Sequence, residues 1–204
     1  VVLRIPRNFI FYLSAHERCT EKLLFRAKMR TAEELDVSSD PDAIRIRRMV
    51  GSVQREINRM KGLIRLKSLG PHILYGYLKP RHRIGGYVCD LLAKRSDDTI
   101  IILGNIQESW VSLCRNGRIM RCSGKGLSRT LDDISSELSI HKDEVGACEN
   151  LEDIWKVYYK SQYCPERRNI SAFHRRIPKK VLYSAGLEAE RNKNGVTLES
   201  FFSL

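Results

Sequence analysis

The sequence lacks any apolar run near the ~18 residues that a membrane span needs. Its longest continuous apolar β-like run is Ile100-Ile101-Ile102-Leu103, and the cluster Phe9-Ile10-Phe11-Tyr12-Leu13 falls short of the ~7–15-residue core of a secretory leader. The expectation is a cytoplasmic protein with no membrane partner. Metal-ligand spacing is missing too. Cys19, Cys89, Cys114, Cys122, Cys148 and Cys164 are separated by gaps of 70, 25, 8, 26 and 16 residues, with no CxxC and no Cys–His pair at finger spacing. His16, His72, His82, His141 and His174 are equally scattered. The cysteines therefore read as small core hydrophobes, and nothing calls for a metal or a cofactor. Nucleotide and hydrolase signatures fail as well. Ser123-Gly124-Lys125-Gly126-Leu127-Ser128 departs from the phosphate-loop pattern because Gly126 follows Lys125, and neither GxSxG nor GxGxxG occurs.

What the chain has is positive charge. Its 204 residues carry 36 Lys and Arg against 24 Asp and Glu, a net charge of +12. A hydrophobic fraction of 42% leaves ample material for a core. The excess suits a polyanionic partner, and it is segregated. Residues 45–67 hold eight basic side chains against Glu56 alone, a net +7. Residues 156–193 hold ten against three acids, again +7, while 128–154 between them carries −6.

Periodicity gives the architecture. Asp40 caps and Pro41 opens a helix running to about Lys61. Ile46, Met49, Val50, Val53, Ile57 and Met60 recur along it every three or four residues, as one apolar stripe. Arg45, Arg48, Ser52, Arg55 and Arg59 fall on the opposite side as a cationic ridge. Cys19 to Leu35 has helical composition, and Phe9 to Leu13 fits a strand or a first helical turn. Strands are expected at Leu63–Leu69, His72–Lys79, Thr99–Leu103, Ser109–Arg115 and Arg118–Cys122. The last two flank Asn116-Gly117, a strong hairpin signal. Further helices are expected from Pro80 to about Arg95, at Ser128–Leu138 and at Leu151–Gln162. The sum is α+β: an antiparallel sheet of about five strands with helices packed on it. Residues 1–40 read as an N-terminal lead-in packed on the core, 41–185 as the core domain and 186–204 as a polar tail.

Three segments concentrate polar chemistry. Glu56 with Arg59, Lys61 and Arg65 reads either as a helix-surface ion pair or as a phosphate site in which Glu56 orients the arginine forks. Trp155-Lys156-Val157-Tyr158-Tyr159 mixes aromatics and lysines, for core packing or for base stacking; Tyr159 lies off the apolar face and suits stacking. Arg167-Arg168-Asn169 and His174-Arg175-Arg176-Ile177-Pro178-Lys179-Lys180 surround an expected loop with cations.

Glu56-Ile57-Asn58-Arg59-Met60-Lys61-Gly62-Leu63-Ile64-Arg65, then Trp155 to Tyr159, then Glu166-Arg167-Arg168-Asn169 leading to Ile177-Pro178-Lys179-Lys180, together resemble a family of domains of unknown function described as DNA metabolism or repair proteins. The resemblance spans about residues 10–185. It implies a DNA-repair setting, in which family members stand alone or fused to a uracil-DNA-glycosylase-like domain and accompany a radical-SAM protein. It implies no reaction. The chain departs from the family at Asp90-Leu91-Leu92-Ala93-Lys94-Arg95, where members show an Asp-His-Phe-x-x-Arg-like stretch, and at Gly104, where they place an Asp.

Three functions fit this sequence. The first is a module that binds nucleic-acid backbone, DNA before RNA. It would use Arg48, Arg55, Glu56, Arg59 and Arg65 in one block and Tyr159, Arg167, Arg168, Asn169, Arg175, Arg176, Lys179 and Lys180 in the other. The second is an adaptor for a glycosylase or radical-SAM protein. The third is an enzyme on nucleotides or nucleic acid with Glu56 or Asp90 as acid/base.

Overall fold

A computed structural model describes residues 5–137 together with Arg175, Lys179 and Tyr183. Three short helices come first: α1 (Phe9–Ala15), α2 (Glu21–Lys28) and α3 (Ala32–Val37). Cys19–Leu35 is thus two helices rather than one. Thr31 divides them, because its hydroxyl accepts from Glu34 N at 3.2 Å while the Glu34 carboxylate accepts from Thr31 N at 2.9 Å. That reciprocal pair starts a new helix.

Helix α4 (Pro41–Leu63) is 23 residues long, or about 34 Å at 1.5 Å per residue. Asp40 caps it by accepting from Ala43 N at 3.4 Å, with Pro41 in the first turn. Its apolar stripe serves two separate clusters. Ala43, Ile46, Met49 and Val50 pack with Phe9, Leu13, Leu23, Ala27 and Leu35 of the first three helices. Val53, Ile57 and Met60 pack with Leu78, Ile84, Val88, Leu92, Ile101 and Leu103. Among the described residues, no helix is long and apolar enough to cross a membrane.

The helix continues to Leu63, past the point where a strand was expected to begin. Ile64 N still bonds back to Met60 O at 3.0 Å, and the strand starts only at Lys67. Strands β1 (Lys67–Gly70) and β2 (Ile73–Tyr77) are followed by α5 (Gly85–Ala93), β3 (Ile100–Gly104), β4 (Ser109–Arg115), β5 (Arg118–Gly124) and α6 (Leu127–Glu137). The sheet has five strands in sequence order. Neighbours run antiparallel except β2 and β3, which are parallel with Ile73 opposite Ile100 and Tyr77 opposite Gly104. A parallel pair needs a crossover, and α5 supplies it. The β4–β5 hairpin turns at Asn116 and Gly117 with φ of 51° and 72°, the left-handed pair such a turn requires.

Helix α5 lies on the sheet face that carries Leu74, Ile101, Leu103, Trp110, Cys114 and Ile119. It begins at Gly85 rather than Pro80, and Gly85 is where it meets the sheet. A Cβ at Gly85 would fall inside the Trp110 indole, whereas one at Gly86 would stand 3.4 Å from its nearest ring atom. Cys89 is fully buried, and its single S–H is shared between the carbonyls of Ile101 at 3.2 Å and Trp110 at 3.3 Å from Sγ.

Neighbouring glycines should therefore respond with opposite sign in thermal melts. Gly85→Ala is expected to cost about 1–3 kcal/mol through overpacking. Gly86→Ala is expected to be neutral or to stabilise by up to ~1 kcal/mol through helix propensity.

Candidate anion-binding site

Between β2 and α5 the chain crosses the middle of α4, and Glu56 holds it there. The Glu56 carboxylate accepts from Arg81 N at 2.7 Å (Oε1) and from His82 N at 3.1 Å (Oε2). Glu56 therefore clamps this loop and makes no ion pair with Arg59. On the far side, Arg83 N donates to Ala15 O at 2.8 Å and its guanidinium to Ser14 O at 2.6 Å. The loop is thus tied to both α4 and the end of α1.

This crossing buries two histidines against each other. His16 and His82 are 7% and 3% exposed, with ring centroids 4.4 Å apart. Arg18 N donates to His16 Nδ1 at 3.1 Å, and Glu17 N donates to His82 Nδ1 at 3.4 Å. With Nδ1 an acceptor in both, the neutral rings carry hydrogen on Nε2. His82 Nε2 lies 2.8 Å from Ser52 Oγ and 3.8 Å from Glu56 Oε2. Ser52, His82 and Glu56 thus form one connected polar chain beneath the crossing. The other acid/base candidate, Asp90, is also occupied. It is buried on α5, accepting from Ser112 Oγ and from Arg121 Nε, both at 2.8 Å. Burial pushes the Cys89 thiol up to about 11, so it is no nucleophile at neutral pH.

Three acids around α4 are paired. Asp40 takes Arg30 at 2.7 Å, Asp42 takes Arg26 at 2.6 Å, and Glu17 takes Arg81 Nε at 2.6 Å. Arg30 beside Asp40, and Arg81 beside Glu17, hold those carboxyls below the usual range. Arg47 is also occupied, donating to the carbonyls of Leu35, Asp36 and Ser38 at the end of α3. What remains is Arg45, Arg48, Arg55 and Arg59, exposed and with no carboxylate partner among the described residues. Arg45 and Arg48 join Arg18 and His16 around a pocket of about 620 Å³, with Pro41, Ile44 and Met49 as its apolar wall. His16 Nε2 has no hydrogen-bond partner among the described residues.

A model of the domain of unknown function DUF4130 matches residues 16–184. The chain belongs to that family. The match begins at His16 and takes in the pocket, the histidine pair and the whole sheet. No curated protein and no solved structure matches significantly.

Of the residues expected from sequence, the structure brings Arg48 to the pocket and leaves Arg55 and Arg59 exposed farther along α4. Arg65 is exposed beyond the helix end, while Ile64 and Leu66 beside it pack on the core. Arg175 and Lys179 are exposed, helical and four residues apart. On the same spacing, Tyr183 meets Lys79, whose Nζ stands 5.4 Å from the ring centroid. Tyr159, Arg167, Arg168, Asn169, Arg176 and Lys180 lie outside the described residues. His16, Arg18 and His82 were not anticipated. They reach the site only through contacts such as Glu17 to His82, 65 residues apart, and no local pattern encodes that. Among the described residues no group of three or more His, Cys, Asp or Glu is placed to hold a metal ion.

Two measurements test this arrangement. Glu56→Ala leaves two backbone N–H groups without their acceptor and should cost about 2 kcal/mol. That is a fall of roughly 4–8 °C in Tm. His16 is held below its ordinary 6.5, first by burial and then by His82. The unfolded chain takes up that proton below 6.5 while the folded chain does not. The stability contributed by neutral His16 is thus complete above 6.5 and drains as pH falls toward its lowered folded value. Tm should drop between about pH 7.5 and 5.5, and His16→Gln should shrink the drop. An equal drop in both proteins would contradict the assignment.

Proposed function

We propose that this protein binds the sugar–phosphate backbone of nucleic acid along the exposed face of α4. The observation that supports the reading is the imbalance left after the ion pairs are formed. Asp40, Asp42, Glu17 and Glu56 are all engaged, while Arg45, Arg48, Arg55 and Arg59 have no carboxylate partner among the described residues. These four arginines run for about 21 Å along one helix at 1.5 Å per residue, enough to follow several phosphates. A solvated helix face that served only solubility would more often interleave acids with the cations. Contacts of this kind position a protein on the strand without reading bases.

Arg65, Arg175, Lys179 and the remaining cations of the second block extend the same reading. Preference for DNA over RNA, a repair setting, and a glycosylase-like or radical-SAM protein acting beside the chain rest on the resemblance of Glu56–Arg65 and the later segments to repair-associated proteins. Glu56 acts in this picture through the loop it clamps. It is a positioning residue, its carboxylate oxygens taken up by Arg81 N and His82 N.

Fluorescence anisotropy with labelled DNA checks the proposal. Binding should weaken steeply with salt, and each of Arg48→Ala, Arg55→Ala and Arg59→Ala should lower the slope of log K against log salt by about one. Absence of DNA binding at low salt, or binding indifferent to salt, would sink it. Stoichiometric capture of a protein partner without DNA affinity would favour the adaptor reading instead.

A further inference from the structure

The cations of α4 are not evenly spread, and the unevenness carries information. Arg55 and Arg59 lie one turn apart on the exposed helix surface, away from the pocket that Arg45 and Arg48 line. At the other end, Arg45 and Arg48 share one pocket with Arg18 from the α1–α2 connection. Three arginines thus line one pocket. Glu17 holds its closer contact with Arg81 and reaches Arg18 only at 3.7 Å. The pocket also has a neutral donor. His16 lines it, with Nδ1 occupied by Arg18 N at 3.1 Å and hydrogen therefore on Nε2. Its wall at Pro41, Ile44 and Met49 is apolar, and its volume of about 620 Å³ lies in the range of nucleotide-sized sites.

A monoanionic diester passing along a groove needs one cation per phosphate. Three arginines and a histidine around one pocket match a group with more charge and three free oxygens. We infer that this pocket receives a terminal phosphate monoester of a nucleic-acid strand, with the sugar of the end nucleotide against Ile44 and Met49. The inference rests on the backbone-binding reading of α4 and deepens it. It turns a face that grips anywhere into one that grips best at an end or a nick. A terminal 5′-phosphate, a terminal 3′-phosphate and a free nucleoside monophosphate share this chemistry, and the experiment separates them.

Three otherwise identical single strands of about 12 nucleotides are compared with the full chain, one carrying a 5′-phosphate, one a 3′-phosphate and one hydroxyl at both ends. One phosphorylated end should bind roughly tenfold or more tightly than the hydroxyl strand. Arg18→Gln and Arg45→Gln, both on the surface, should erase that ratio while leaving Tm unchanged. Arg55→Gln and Arg59→Gln should weaken all three strands and leave the ratio intact. Equal affinity for the three strands overturns the inference, as does a preference that survives Arg18→Gln with Arg45→Gln. In that case salt-dependent binding of the hydroxyl strand leaves the backbone reading standing. If hydroxyl strands do not bind but calorimetry detects a nucleoside 5′-monophosphate, and Arg45→Gln abolishes it, the backbone reading falls and the pocket stands as a mononucleotide site. Binding of neither strand nor mononucleotide removes both.

Discussion

A single stripe of α4 residues, from Ala43 to Met60, closes two hydrophobic clusters that share little else. The first half of the helix belongs to the N-terminal helices and the second half to α5 and the sheet. Because 23 residues of one rigid rod are buried along one side, the opposite side is defined along its whole length as well. The cationic face therefore has a geometry fixed along its length that neither cluster could impose alone. Each half of the rod is stabilised mainly by what packs on it, since helix propensity contributes little beside burial.

The loop at residues 80–84 turns this frame into a site. It reaches α4 through Glu56 and α1 through Ser14 and Ala15, so three stretches of chain far apart in sequence are registered against one another. The His16–His82 contact sits at their junction. A carboxylate accepting two consecutive backbone N–H groups is strong because both bonds are charge-assisted. That use of Glu56 also removes the one acid from the middle of an arginine ridge. Arg47 shows the complementary economy: a cation in the same run is turned inward to satisfy helix-end carbonyls, where the helix dipole favours positive charge.

Much of this was legible in the residues. The three-and-four spacing of Ile46, Met49, Val50, Val53, Ile57 and Met60 reports a helix face directly, because a buried side is a local property of the chain. Asn116-Gly117 reports its hairpin for the same reason. Strand direction is a different kind of fact. Ile73 and Ile100 alternate as they would in either orientation, so the parallel β2–β3 pairing appears only once α5 is seen to carry the chain back across the sheet. The extension of α4 to Leu63 was hidden because Ile64 and Leu66 alternate with Arg65 and Lys67 like a strand, while the Ile64 N–H still bonds into the last helical turn. Within the site, Arg48, Arg55 and Arg59 could be named from the helix wheel. His16 and Arg18 could not, because their place depends on contacts spanning more than sixty residues.

The cysteines lead to a point outside binding altogether. Cys122 is exposed, Cys19 is half-buried, and Cys89 is sealed between α5 and the sheet with its single S–H shared between two carbonyls. Thiol chemistry therefore ranks these positions by access, with Cys122 first and Cys89 last. For an alkylating reagent to reach Cys89, α5 must lift from β3 and β4. The native chain thus carries a clock for local opening at the seam between helix and sheet, readable by mass without changing a single residue.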